Sequence, residues 1–439
     1  MFWRGFGAFF DAIVGHFGWS HAATTGATSL QRSESGLISP FVGTVLDKFG
    51  PRWTMGFGVL VTGGGFVLMS FVNSLWQFYL AMAFLTIGMS FGTFIVLVAT
   101  VGNWFIKQRA RALSVLMASA AVGGFTLPLL VFVIDHFGWR SVMLSVGVGF
   151  WLVGFPATFV MRRRPEDYGM LPDGGPVPAA SGDGKRSASS PRDVSVTVKH
   201  ALKLRFFWQL AIATSLGQLA TSTNLLHLSA LKDFGITPGL AATAAGSIAF
   251  GDVAGRLLTG VIGDRYDKRM LLCLAFALQS VGMIAFTLVN LDVGPISMPP
   301  GVTLPVFVAG FGLGFGLSVP MRLALIGDYF GRKHYGSIIG LMSSISAVFG
   351  AIGPVFAGAV YDITDDYRPA FAVLTALLLL SVPLSFTLEP PRRVAARVRA
   401  LALRDRAKSG TVSADGPPKG SLVRRKVVWP FRGRRPKDG

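Results

Sequence analysis

Two charged side chains, Asp252 and Arg256, stand four residues apart inside an otherwise apolar segment. On an α-helix this spacing puts both on one face, close enough to pair. An ionised group in a bilayer core costs at least ~2.5–3.5 kcal/mol on insertion scales, so it needs a partner or a wet cavity. The planar fork of an arginine suits a carboxylate. The pattern therefore indicates a site that binds an anion or, alternatively, a purely structural ion pair.

Few other charges fall inside apolar segments, among them Arg4, Arg32 and Arg322. Helical rise places Arg4 and Arg256 at similar depth, each about 5 Å to the cytoplasmic side of the midplane, so that they can clamp a carboxylate from opposite halves. Arg322 lies near a segment end and is expected to snorkel to the interface. The alternative is a gate contact with an acidic loop residue. Asn224 and His227 are expected to line an outer vestibule; the alternative for His227 is a ring satisfied by backbone or water.

The chain as a whole has the composition of a membrane protein. Of its 439 residues 51% are hydrophobic and 14% are charged, and the mean hydropathy is +0.54. A soluble domain carries about 25% charged residues, so a soluble fold is excluded. A single cysteine, Cys273, excludes an internal disulfide and a cysteine metal cluster. No other metal-ligand spacing, nucleotide loop or catalytic dyad indicates a cofactor or an enzyme.

Twelve apolar segments, all but the first of ordinary membrane-spanning length, predict an all-α membrane protein. They lie at roughly 1–17, 22–46, 54–73, 77–101, 112–134, 139–161, 206–231, 239–263, 269–290, 302–326, 335–361 and 369–388. The first segment is abnormally short for crossing a bilayer core, and we expect the true start of the chain to lie upstream of Met1.

The net charge of +19 would suggest a nucleic-acid partner, but the distribution of the basic residues excludes it. Most of them fall in alternate loops, in the central segment 162–205 and in the tail 389–439. This bias predicts a cell-membrane protein with both termini cytoplasmic. Both long segments are expected to be flexible. The tail either binds anionic lipid headgroups or only anchors the topology.

An internal repeat divides the chain into two six-helix halves, 1–161 and 206–388. The loop GTVLDKFGPR at 43–52 aligns with GVIGDRYDKR at 260–269. The aligned residues are Gly43, Asp47, Lys48 and Arg52 in the first copy and Gly260, Asp264, Arg265 and Arg269 in the second. We expect them to form a cytoplasmic gate. The alternative is a basic turn that only fixes the topology. Two such halves are typical of carriers that alternate access around a midplane site.

The first of these loops resembles the signature loop of the major facilitator superfamily, and the second is similar, with Asp267 where glycine is expected. Stretches such as WFIKQRARAL, RRPEDYGMLPDG at 163–174 and DYFGRKHYGSIIG at 328–340 resemble the monocarboxylate transporter and oxalate/formate antiporter branch. The likeness covers nearly all of 1–390. It implies the major facilitator fold.

The resemblance also implies roles for the buried charges. Asp252 and Arg256 match an Asp-x-x-x-Arg pair that handles the proton and the substrate carboxylate, and Arg4 precedes a Phe-Phe pair where a basic residue binds substrate. Arg4 departs from the usual lysine. The eleventh segment has serines but no lysine, which disfavours a two-carboxylate substrate such as oxalate.

These observations predict a secondary transporter of a small organic anion, with symport of a monocarboxylate and a proton. When the site is empty, Asp252 is expected to pair with Arg256. An arriving carboxylate competes for Arg256, and Asp252 then takes up a proton because it has lost its counter-charge. The alternatives are an anion antiporter of the oxalate/formate type, an exporter of amphipathic compounds and, from a different class, a membrane sensor that does not transport.

Overall fold

The structure is a computed structural model, and it describes residues 36–122, 127–174, 196–293 and 296–390 together with Phe9, Ile13, Phe17 and Trp19. The predicted first span, which includes Arg4, lies outside the described residues except for Phe9, Ile13 and Phe17. The basic tail from residue 391 onward also lies outside them.

The helices of the N-terminal part follow the predicted second to sixth spans. They are α1 (36–49 as far as described), α2 (Pro51–Ser70), α3 (Leu75–Gly92), α4 (Phe94–Trp104), α5 (Arg109–Val122), α6 (Leu127–Phe137) and α7 (Trp139–Val160). Gly50 turns the chain between α1 and α2 with a φ of 86°, a conformation that disfavours residues with a Cβ. Pro51 then starts α2, where its missing N–H costs nothing.

The C-terminal part follows the predicted seventh to twelfth spans. Its helices are α8 (Val198–Ala201), α9 (Arg205–Ser222), α10 (His227–Asp233), α11 (Pro238–Ile262), α12 (Lys268–Thr287), α13 (Pro300–Phe330), α14 (Tyr335–Thr364) and α15 (Arg368–Phe386). A 3-10 turn, Thr223–Leu226, interrupts the predicted seventh span between α9 and α10. A short antiparallel pair of strands, β1 (Leu291–Val293) and β2 (Ile296–Met298), precedes α13.

Helices pack most closely where glycines face each other. A Cβ on Gly58 of α2 would lie 2.2 Å from the backbone nitrogen of Gly92 at the end of α3. A Cβ on Gly316 of α13 would lie 2.1 Å from the carbonyl oxygen of Asp252 in α11. Small residues let helix backbones approach in this way inside membranes. The close approach of α13 fixes the part of α11 that carries Asp252.

Contacts between the N-terminal and C-terminal helices include those of α5, which packs on α11 and α13, and those of α4, which packs on α14. Among the described residues, eight helical segments are long and apolar enough to cross a membrane. Large apolar side chains, including Phe159, Phe250 and Val355, are exposed on their outer surfaces. Exposed apolar surface of this extent is expected to face lipid.

The prediction of a flexible segment over 162–205 is wrong at both of its ends. Pro165–Tyr168 and Pro172–Gly174 form 3-10 turns, and Val198–Ala201 forms helix α8. The cause is long-range hydrogen bonding that composition does not reveal: the indole of Trp104 donates to the carbonyl of Arg162 at 3.0 Å, and the N–H of Val196 donates to the carbonyl of Phe330 at 3.1 Å.

Candidate functional site

The structure pairs Asp252 and Arg256 on one face of α11. Nε of Arg256 lies 2.6 Å from Oδ1 of Asp252, and Nη2 lies 2.8 Å from Oδ2, so that both carboxylate oxygens are engaged. Asp252 is 3% exposed. A buried carboxylate is stable only when it is paired, and this fork satisfies it.

The third guanidinium nitrogen of Arg256 reaches across to the N-terminal helices. Nη1 donates to the backbone carbonyl of Met117 in α5 at 2.8 Å. The single side chain of Arg256 therefore contacts both the Asp252 carboxylate on its own helix and the backbone of α5. A ligand that binds Arg256 must compete with both contacts.

The loop ends of the helices form a second candidate region. We call it the basic side and define it by the loops around residues 47–52, 105–109, 263–268 and 331–334. There the Asp47 carboxylate accepts hydrogen bonds from the backbone N–H groups of Gly336 at 3.2 Å and Ser337 at 2.8 Å, and from the Ser337 hydroxyl. These groups lie at the N-terminus of α14, where free N–H groups favour an anion. Burial raises the pKa of the Asp47 carboxyl above its ordinary value, against a smaller lowering by the hydrogen bonds from Ser337 and Gly336.

Asp264 makes the equivalent contact in the repeat. Its carboxylate accepts from the backbone N–H groups of Ala110 at 3.0 Å and Arg111 at 2.9 Å, at the N-terminus of α5. The aligned glycines also face the partner helix: a Cβ on Gly43 would lie 2.3 Å from the carbonyl oxygen of Gly336, and one on Gly260 would lie 3.5 Å from Cβ of Ser114. The two repeated loops thus cross to opposite halves of the chain.

The basic residues of these loops do not share one role. Lys48 is exposed with its ammonium 5.2 Å from the centre of the Phe49 ring. Arg52 donates to the carbonyl of Phe159 at 3.0 Å. Arg265 is exposed.

The guanidinium of Arg269 forms a forked ion pair with Asp267, with Nε 3.1 Å from Oδ1, and also donates to the carbonyl of Leu388. The fork from Arg269 holds the pKa of the Asp267 carboxyl below its ordinary value.

An ion-pair cluster that the sequence did not reveal lies on the basic side. Arg109 and Lys268 each approach Asp328 at 2.7 Å, one on each oxygen. Arg109 is 2% exposed and also donates to the carbonyl of Phe105 at 3.2 Å. The three residues join α5, α12 and α13. The only available signal was the charge of Asp328 at the end of an apolar span.

Asp173 forms another contact that sequence reasoning missed. Its carboxylate accepts from the backbone N–H groups of Ile106, Lys107 and Gln108 at 3.0–3.3 Å. Nearby, Glu166 pairs with Arg332 at 2.8 Å. The segment 162–174 is thereby attached to loops of both halves.

His227 lies apart from the vestibule expected for it. It is 0% exposed, and its ring is surrounded by four phenylalanines with ring centres 4.8–5.6 Å away, namely Phe286, Phe307, Phe311 and Phe371. Nδ1 lies 3.1 Å from Oδ1 of Asn224, whose side chain is exposed. Asn224 is therefore open to a ligand, whereas a ligand reaches His227 only if the aromatic cluster opens.

Membrane-length helices, a buried ion pair between two groups of helices and paired loop contacts at one side define the class of membrane carriers. The model of the Major Facilitator Superfamily matches residues 1–231 and 210–433, and the chain belongs to this family. It is not an enzyme.

Curated relatives bear the names of monocarboxylate transporters. The chain is 25% identical over 388 residues to monocarboxylate transporter 13 of Bos taurus, and the alignment covers 88% of this chain and 84% of that protein. It is 26% identical over 360 residues to monocarboxylate transporter 2 of Rattus norvegicus, covering 78% of this chain and 70% of that one. A crystal structure of the E. coli fucose:proton symporter superposes with a TM-score of 0.63 at 13% identity, covering 88% and 96% of the two chains. The last match establishes the major facilitator fold.

Proposed function

We propose that this protein is a proton-coupled transporter of small monocarboxylates that works by alternating access in the cell membrane, with both termini cytoplasmic. The observation that carries the proposal is the forked pair of Arg256 and Asp252, buried in α11 and linked to Met117 of α5. The names of the relatives support a carboxylate substrate.

The pair supplies a binding group and a proton acceptor in one place. A substrate carboxylate that takes the fork of Arg256 displaces Asp252, which then lies buried without its counter-charge. A buried, unpaired carboxylate is far less stable than the acid, so Asp252 takes up a proton. With the substrate anion bound and Asp252 protonated, the site has the same net charge as the empty ion pair. The hydrogen bond from Arg256 to the carbonyl of Met117 is released in the same exchange.

The basic side would act as the gate in this cycle. The carboxylates of Asp47, Asp264 and Asp328 each bind a donor group from the other half of the chain. We infer that these contacts close the side that carries them and must break when the site opens there. The predicted partner of Arg256 across the site, Arg4, lies outside the described residues, and its part in the clamp stays a prediction.

The test is uptake of radiolabelled acetate, pyruvate and butyrate by full-length protein in proteoliposomes, with and without an inward proton gradient. Asp252→Asn should keep counterflow, which moves no net charge or proton, and should lose the acceleration by the gradient. Arg256→Met should lose both, because a charge-assisted hydrogen bond contributes about 1.5–3 kcal/mol, or roughly 10–150-fold in affinity.

Asp167→Asn is the matched control, because Asp167 is an exposed carboxylate in the turn after α7. It should behave as the wild type. Gradient-driven uptake that survives Asp252→Asn would rule out the proposed proton coupling, and uptake that survives Arg256→Met would rule out the proposed binding group.

A further inference from the structure

A small cavity of about 20 Å³ lies within the C-terminal helices between α9, α12 and α13. A cavity needs roughly 10–15 Å³ to hold one water molecule, so this space takes one particle of about that size and no organic acid. The proposed pair on α11 is not among the described residues that line it. The polar side chains of its wall include those of Gln218, Gln279, Ser318 and Arg322.

Gln279 is the first sign that this space is built for a bound particle. Its side chain is 0% exposed, and neither its Oε1 nor its Nε2 has a hydrogen-bond partner among the described residues. A buried amide without partners is costly and rare. Gly314 makes room for it, since a Cβ at that position would lie 2.7 Å from Cγ of Gln279. The fold thus holds an unsatisfied amide against the cavity.

Arg322 brings a positive charge to the same cavity. It lies about 12 Å along the helix axis from the end of α13 at Phe330, at the rise of an α-helix. The sequence predicts that it snorkels to the interface or contacts an acidic loop residue. In the described part of the chain, however, no carboxylate pairs with Arg322, and its side chain lines the cavity. A cation inside a membrane span needs a counter-charge or water.

The hydroxyl groups of the wall are already committed as donors. Thr214 donates to the carbonyl of Leu210 at 2.9 Å, and Thr221 donates to that of Gly217 at 3.0 Å. Ser318 likewise donates to a backbone carbonyl at 2.9 Å. The donors that remain on the wall are therefore the guanidinium and the side-chain amides.

The charge of the wall favours an anion over a water molecule as the occupant. A single water molecule would give the amide of Gln279 a partner but would leave Arg322 without a counter-charge. A monoatomic anion accepts from the guanidinium and from the amide N–H groups, and it compensates the charge as well. Carboxylates and phosphates are too large for this space. Chloride is the abundant monoatomic anion of biological media.

We propose that the cavity holds a resident chloride ion, bound by the guanidinium of Arg322 and by Nε2 of Gln279. The described residues that line the cavity all belong to α9, α12 and α13. A movement of the two halves against each other therefore does not have to open it. The ion is a fixed counter-charge of the C-terminal helices and is not carried across the membrane. The inference goes beyond the proposed function, which uses only Asp252 and Arg256.

Thermal unfolding of the purified full-length protein in detergent tests the assignment, with chloride replacing gluconate at constant ionic strength. The midpoint of the wild type should rise by about 2–4 °C and then level off, because an ion that binds only the folded state stabilises it. Bromide should act like chloride. Acetate, which is too large for the cavity, should act like gluconate.

Arg322→Met removes both the cation and the need for the ion. In gluconate its midpoint should lie above that of the wild type, because the wild type then contains a cation without a counter-charge. Chloride should narrow this difference, since only the wild type responds to it. Gln279→Leu should raise the half-saturating chloride concentration by about 2–10-fold, the size of a lost neutral hydrogen bond.

Gln209→Leu is the matched control on α9. The amide of Gln209 donates to the carbonyl of Leu384 at 3.0 Å and to Oγ1 of Thr387 at 2.8 Å, outside the cavity. The variant should respond to chloride as the wild type does. A wild-type midpoint that chloride leaves unchanged, or a chloride response that survives Arg322→Met, would overturn the inference and leave the cavity to water.

Chloride nuclear magnetic resonance gives a second reading that does not depend on unfolding. The chloride line broadens when the ion exchanges with a protein site. The wild type should broaden it more than Arg322→Met does, and bromide should remove the excess. Equal line widths for the two proteins would overturn the inference.

Arg256→Met separates this inference from the proposed function. The variant should lose carboxylate uptake and keep the chloride response. A chloride response that is lost in Arg256→Met and kept in Arg322→Met would assign the ion to the proposed substrate site and overturn the inference. Uptake that survives Arg256→Met would contradict the proposed function and leave the chloride response as it is.

Discussion

The carboxylate of Asp47 lies 2.8 Å from the backbone nitrogen of Ser337, 290 residues further along the chain. Asp264, at the aligned position of the repeated loop, makes the same kind of contact with Arg111 at 2.9 Å. In each case a carboxylate after one span meets the N-terminus of a helix in the other half. The repeat in the sequence thus corresponds to a repeated contact in the structure.

Gly43 should be intolerant of a methyl group. Because a Cβ there would lie 2.3 Å from the carbonyl oxygen of Gly336, Gly43→Ala should lower the thermal midpoint in detergent, with a loss of about 1–3 kcal/mol. Gly56→Ala is the control, since a Cβ at Gly56 meets nothing within 4 Å. It should raise the midpoint slightly, because alanine favours a helix over glycine by about 0.5–1 kcal/mol. Midpoints that move in the same direction would contradict the close contact.

Asp264→Asn should loosen the basic side. The variant keeps the shape of the side chain but loses charge-assisted hydrogen bonds to Ala110 and Arg111. A reporter thiol at Ser114, which is 1% exposed, in the Cys273→Ser background should then react up to about tenfold faster with a membrane-impermeant reagent. Asp167→Asn should leave the rate unchanged. A rate unaffected by Asp264→Asn would show that this contact does not hold the two halves together.

Asp47 should give the protein a pH dependence in mild acid. Burial raises the pKa of its carboxyl in the folded protein above the ordinary value of 3.8, so the folded state binds the proton more tightly than the unfolded state does. The associated stability is fully present below pH 3.8 and is lost as the pH rises through the folded-state pKa.

The measurement is the difference in thermal midpoint between Asp47→Asn and the wild type from pH 4 to pH 7. The difference should shift in favour of the variant as the pH rises, because the variant has no carboxyl to ionise. A difference that is constant over this range would mean that the Asp47 carboxyl does not titrate abnormally.

Asp173 should hold the loop between α4 and α5. Asp173→Gly removes a carboxylate that accepts from three backbone N–H groups, while glycine tolerates the φ of 65° that Asp173 adopts. Hydrogen exchange of peptides covering 105–109 should accelerate, and stability should fall by about 1–3 kcal/mol. Asp167→Asn, in the same segment, should change neither. Unchanged exchange in the glycine variant would argue that the loop is held by other contacts.

The sequence by itself determined the spans, the repeat and the pairing of Asp252 with Arg256. These follow from local rules: a run of apolar residues must span a bilayer, a duplicated motif keeps its spacing, and residues four apart share a helix face. Local rules also placed Asp47 and Asp264 at helix ends on the basic side.

Tertiary structure alone decided which residues these side chains contact. The contact of Asp47 with Ser337, the three N–H groups gathered by Asp173 and the aromatic cluster around His227 each join residues far apart in the chain. The cavity at Gln279 and Arg322 depends on three helices packing around glycines. A sequence pattern records which face of a helix is polar, but the partner of that face is set by how the helices pack.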